Sequence, residues 1–60
     1  MFAEEFTKEI IRTGKTQKAL AEQLGIPLRT LEDWKSGRRI PPTYVQAMML
    51  DKIKKINPGD

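Results

Sequence analysis

Only Gly25 and Ile26 stand between two segments that both read as helices, and this short junction constrains the fold more than anything else in the chain. The first segment, Gln17 to Leu24, carries Leu20, Ala21 and Leu24 on one side, at the three- and four-residue spacing of an amphipathic helix. Thr16 precedes it as a good N-cap. The second opens at Pro27, which suits the first turn of a helix, and runs to about Ser36. Leu31 and Trp34 face inward there, and Gly37 closes it. Helices joined by so short a turn cross steeply, because no further chain is available to reverse direction. The crossing needs a small residue at the contact, supplied by Ala21, and a turn residue that tolerates positive φ, supplied by Gly25. Leu20, Leu24, Ile26, Leu31 and Trp34 anchor the two sides.

The flanking segments are helical as well. Phe2, Phe6 and Ile10, with Ala3 and Ile11, recur at i, i+4, i+8, which predicts a helix over 2–13 that Gly14 ends. Arg38-Arg39-Ile40-Pro41 reads as a loop, and Pro42 opens a last helix with Tyr44, Val45, Met48, Met49, Ile53 and Ile56 on its apolar face. Asn57-Pro58-Gly59-Asp60 reads as a turn or frayed tail. The pattern shows no strand, repeat or low-complexity stretch. The expectation is one all-α domain over 1–60, a bundle of four or five short helices with its central pair at 17–36 and a tail at 57–60.

A 60-residue chain buries only about 60% of the surface that its unfolded form exposes, so its stability is marginal. With no cysteine and no histidine, neither a disulfide nor a zinc cluster is expected to staple it, and no cofactor is expected. Support has to come from helix packing or a partner chain. The cysteine-free composition suits a reducing cytosol. The acidic start, Met1-Phe2-Ala3-Glu4-Glu5, has no apolar run of signal-peptide length, and no stretch approaches the roughly 18 apolar residues of a membrane span. A cytoplasmic protein without a membrane partner is expected. The 11 basic and 8 acidic side chains are unevenly placed: residues 37–60 hold Arg38, Arg39, Lys52, Lys54 and Lys55 against only Asp51 and Asp60. A basic second half suits a polyanionic partner.

Several features imitate chemistry without supporting it. Gly14-Lys15-Thr16 resembles the end of a phosphate-binding P-loop, but Glu9 stands where the motif's first glycine belongs and no strand precedes it. Adjacent acids, Glu4-Glu5 and Glu32-Asp33, point about 100° apart on a helix and cannot share a substrate. Ser36 and the threonines lack a histidine base. Neither enzymatic activity nor a small-molecule substrate is expected.

The run Thr16-Gln17-Lys18-Ala19-Leu20-Ala21-Glu22-Gln23-Leu24-Gly25-Ile26-Pro27, followed by Arg29-Thr30-Leu31, Trp34, Ser36-Gly37-Arg38-Arg39 and Pro41-Pro42, resembles the Cro and lambda-repressor-like helix-turn-helix domain. The resemblance covers residues 14–45 well and the outer helices loosely. It implies operator binding to double-stranded DNA, usually as a dimer, with the helix from Pro27 to Ser36 in the major groove. Lys15, where the family usually has an apolar residue, and Pro27, in place of the usual serine or threonine cap, depart from the pattern.

Taking Leu31 as the centre of the buried side, a 100° step per residue puts Arg29, Asp33 and Ser36 on the outward face, with Leu28 at its rim. The resemblance assigns base contacts to Pro27, Leu28, Arg29 and Asp33. Arginine can grip guanine O6 and N7 with two donors, and an apolar side chain can meet a thymine methyl. Asp33 either accepts from cytosine N4 or holds Arg29 from one turn away. By the same resemblance, phosphate contacts fall to Thr16, Gln17 and Lys18 at the start of the second helix, then to Arg38, Arg39 and Thr43. In the last helix, Val45, Met49 and Ile53 turn inward, leaving Leu50 and part of Met48 as surplus apolar surface for a homodimer. The reading is a DNA-binding transcriptional regulator and repressor. Its alternative is a module of the same fold, or an antitoxin, that binds protein instead; the acidic outward face of the recognition helix is the hint.

Overall fold

A computed structural model describes residues 1–58. Helix α1 spans Phe2–Thr13, α2 Gln17–Leu24, α3 Leu28–Ser36 and α4 Thr43–Lys54. No strand and no fifth helix occurs among the described residues. Of the tail expected at 57–60, Gly59 and Asp60 lie outside the described residues, while Asn57 and Pro58 are exposed and non-helical.

Local chemistry sets the helix limits. The Thr16 hydroxyl accepts a hydrogen bond from the Ala19 N–H at 3.1 Å, satisfying one of the free donors at the start of α2. At the other end Gly25 is left-handed, at φ 73°, and its N–H donates to the Glu22 carbonyl. The Ile26 N–H reaches back to the Ala21 carbonyl at 3.0 Å. These two bonds form a Schellman motif, and Ile26 tucks against the core beneath it. Pro27 sits one residue earlier than expected, outside α3, where its extended backbone (φ −63°, ψ 147°) lets its carbonyl accept from the Leu31 N–H.

The core consists of Phe2, Phe6 and Ile10 from α1, Leu20, Ala21 and Leu24 from α2, Leu31 from α3, and Met49 and Ile53 from α4. Ile26, Trp34, Val45, Leu50 and Ile56 pack around it, each half-buried. Phe2 and Phe6 stack with centroids 5.1 Å apart, and both meet Trp34 edge-on, at 6.0 and 6.1 Å. These edge-to-face contacts tie α1 to α3.

Three side chains differ from expectation. Ile11 is 72% exposed rather than part of the apolar stripe, because it lies half a turn from Phe2 on the helical wheel. Thr13 takes the inner position and is fully buried; its hydroxyl donates to the Ile10 carbonyl at 2.8 Å and accepts from the Lys15 N–H. Tyr44, expected on the apolar face of α4, is 74% exposed.

One side chain closes the bundle at the end of α4, which has no left-handed glycine cap. Arg12 reaches from α1 and donates through Nη2 to the carbonyls of Ile53 and Ile56, at 3.0 and 3.1 Å, while its Nε meets Glu9 Oε1 at 2.6 Å. A cation at a helix C-terminus also opposes the negative end of the helix dipole.

Phe6→Ala is expected to cost about 3–5 kcal/mol, a large part of the stability of so small a domain, and to abolish cooperative thermal unfolding by circular dichroism. Trp34→Ala should cost visibly less, since part of that ring remains in water. Arg12→Ala should cost about 1–2 kcal/mol and lose helical signal first from α4, seen as faster amide exchange at Ile56.

Candidate nucleic-acid interface

The outer edge of α3 is built by the same periodicity that buries Leu31. Arg29, Glu32 and Ser36 are exposed and Leu28 is 39% exposed, with Pro27 exposed at the head of the helix. On one flank this edge borders the start of α2. Gln17, with Glu32, Lys35 and Ser36 from α3 and Thr7 from α1, lines an open hollow of about 330 Å³. Thr16 and Lys18 are exposed beside it. On the other flank a hollow of about 420 Å³ lies between α3 and the following loop, lined by Pro27, Arg29, Thr30, Asp33, Trp34 and Arg39. The residues expected to meet bases thus lie between two groups expected to meet phosphates. Thr43 opens α4 and is exposed on the far side of the loop.

The loop itself is folded back on α3. Gly37 is left-handed at φ 82°, which turns the chain across the last turn of the helix. The Arg39 N–H then donates to the Asp33 carbonyl at 3.3 Å, as does the Ser36 hydroxyl at 3.1 Å, and the Arg38 N–H donates to Ser36 Oγ at 3.3 Å. The Asp33 carboxylate lies beneath both arginines, with Oδ1 3.9 Å from Arg38 Nη1 and Oδ2 3.8 Å from Arg39 Nε. Only 14% of the Asp33 side chain remains exposed, against 74% and 78% for the arginines.

Two expectations change here. Asp33 pairs with Arg38 and Arg39 instead of Arg29, because the loop covers a position that the helical wheel leaves open. Ser36 faces outward, but its hydroxyl is engaged in holding the loop. Glu32, noted in the sequence only as the acidic neighbour of Asp33, and Lys35, not singled out there, line the hollow beside Gln17. The wheel did not signal it, since Lys35 lies only 40° from Leu31.

On α4 the expected surplus surface is also redistributed. Met48 is 48% exposed, whereas Leu50 is half-buried and packs on the core. Leu50 lies only 60° from Ile53 on the wheel, within reach of the buried side, while Met48 is turned 140° away from Ile53.

A family model described as helix-turn-helix matches residues 9–49, and the chain belongs to that family, the XRE or lambda-repressor-like helix-turn-helix. It is a family of DNA-binding regulators, not of enzymes. No curated protein and no solved structure matches the chain. Among the described residues, no helix is long and apolar enough to cross a membrane.

Gly37→Ala tests the turn that sets the loop. A Cβ there meets nothing nearer than Ala3 Cβ at 3.9 Å, so any cost comes from the backbone and not from crowding. The expected loss is about 1–2 kcal/mol in thermal unfolding, and Gly37→Asn should lose less because asparagine tolerates the left-handed region.

Proposed function

We propose that the chain is a sequence-specific regulator that binds double-stranded DNA with α3 in the major groove and acts as a repressor by covering the site it occupies. The observation that carries this reading is the placement of the exposed α3 edge between the Gln17 start of α2 and the Arg38–Arg39 loop. A groove reader needs phosphate anchors on both sides to fix its register. In this arrangement Arg29 addresses a guanine, and Leu28 with Pro27 meets a thymine methyl. Thr16, Gln17 and Lys18 hold one backbone strand, where the free N–H groups of a helix start favour an anion. Arg38, Arg39 and Thr43 hold the other. With Asp33 and Ser36 engaged in the loop, base reading falls mainly to Pro27, Leu28 and Arg29. The site of action is the cytoplasm, where bacterial DNA lies.

On DNA the protein acts as a homodimer through the outer face of α4, where Met48 and Tyr44 are exposed one turn apart. Leu50, on the buried side of α4, packs on the core and lies outside that face. Two recognition helices about 34 Å apart would then match one turn of B-DNA, so the preferred site is an imperfect palindrome.

Selection of bound duplexes from a random pool tests this directly, with affinity followed against salt. The expected result is a palindrome whose half-site centres lie about 10 base pairs apart, bound with an affinity that falls steeply as salt rises. No binding even at low salt would overturn the reading and favour a protein-binding module. Arg29→Ala should cost about 1–3 kcal/mol on the selected site and relax discrimination at one base pair, whereas Arg38→Ala should weaken all duplexes alike. Met48→Lys should lower the number of subunits per site from two to one without changing the melting temperature, since that side chain is largely outside the core.

A further inference from the structure

The pairing of Asp33 with both loop arginines has no place in a scheme where all three simply contact DNA. We propose that Asp33 is an internal counter-anion: its carboxylate pairs with Arg38 and Arg39 from beneath, partly offsets the charge that a backbone phosphate meets from outside, and so restrains the affinity of the loop for any polyphosphate. The proposal rests on the DNA-binding reading for its biological setting, but the pairing itself is a property of the loop.

The geometry favours exchange over a fixed structural bridge. Both arginine–carboxylate distances, 3.8 and 3.9 Å, are well beyond the roughly 2.7–2.9 Å of a charge-assisted hydrogen bond. The arginine side chains are about three-quarters exposed on flexible stems, while the Asp33 side chain is mostly covered and fixed to a helix. Among the described residues no other acidic group lies within ion-pair distance of either arginine. A phosphate arriving from outside can therefore take both guanidiniums at bidentate distance without unfolding anything. The loop backbone stays in place meanwhile, because it is held by main-chain and Ser36 bonds and not by the carboxylate. The carboxylate remains close behind the arginines and repels the phosphate. That repulsion weakens binding to every duplex, which shortens residence at sites held by phosphate contacts alone.

Asp33→Asn removes the charge and keeps the side-chain size and the carbonyl that accepts from Ser36 and Arg39. The expected result on a mixed-sequence duplex is binding about three- to ten-fold tighter at low salt, with a plot of log affinity against log salt steeper by up to about one. Glu22→Gln removes an exposed negative charge on α2 that pairs with neither arginine, and should change binding much less. In an Arg38→Ala, Arg39→Ala background, Asp33→Asn should have little further effect. Equal gains from Asp33→Asn and Glu22→Gln, or an undiminished gain without the arginines, would overturn the proposal, because net charge alone would then explain it. Elution from phosphocellulose provides the same comparison on a phosphate polyanion with no duplex. Later elution of Asp33→Asn that requires the two arginines, together with no duplex binding by any variant, would uphold the counter-anion and refute the DNA reading. Unchanged elution would refute the counter-anion whatever the duplexes show.

Discussion

The left-handed turn at Gly25 sets the angle between α2 and α3, and the remaining parts of the molecule depend on that angle. The Schellman bonds from Gly25 and Ile26 end α2 within one residue, and Ala21 lets the next helix approach closely. Once α3 is fixed across α2, its Leu31 side is committed to the core and its Arg29 side to the surface. The position of Gln17 beside the outer edge of α3 follows from the same crossing. A side chain with a Cβ at position 25 would bear a backbone penalty at the one point where no compensating movement is available.

Little apolar material is available to hold this arrangement, so α1 and α4 act as braces more than as independent layers. The edge-on contacts of Phe2 and Phe6 with Trp34 hold α3 from behind, leaving its front clear. Arg12 joins the end of α1 to the end of α4 by bonds to main-chain carbonyls, a contact indifferent to the side chains of Ile53 and Ile56. The surface proposed to meet DNA thus carries almost none of the core, and substitutions there should change affinity with little effect on folding.

The helix limits were legible because their causes are local. Gly14, Gly25 and Gly37 end three helices, and all have positive φ; Thr16 caps as its type suggests. The family was legible too, since the spacing around the short turn is distinctive. What escaped was decided by packing more than by residue type. Ile11 looks as apolar as Ile10, and only its half-turn offset from Phe2 on the wheel tells the two apart. Leu50 reads as spare in the sequence because the wheel gives angles and not the width of the neighbour that shields them. Asp33 was placed outward correctly by its own helix, then covered by a loop whose return path depends on Gly37 and on bonds to Ser36. The roles of individual residues toward bases and phosphates rest on the family pattern and on their shared surface.

The loop that carries Arg38 and Arg39 is bounded by Gly37 on one side and by Pro41 and Pro42 on the other, and Pro41 is buried with its carbonyl accepting from Gln46 Nε2 at 2.8 Å. Its backbone has therefore lost most of its conformational freedom when the domain folds. Ordering a loop of this kind at the moment of association would otherwise consume part of the binding free energy. Here that loss is taken during folding, so the thermodynamics of association should be dominated by side-chain and ion rearrangement. Under the proposed binding mode, the side chains at positions 38 and 39 then set affinity on a frame that need not be rebuilt.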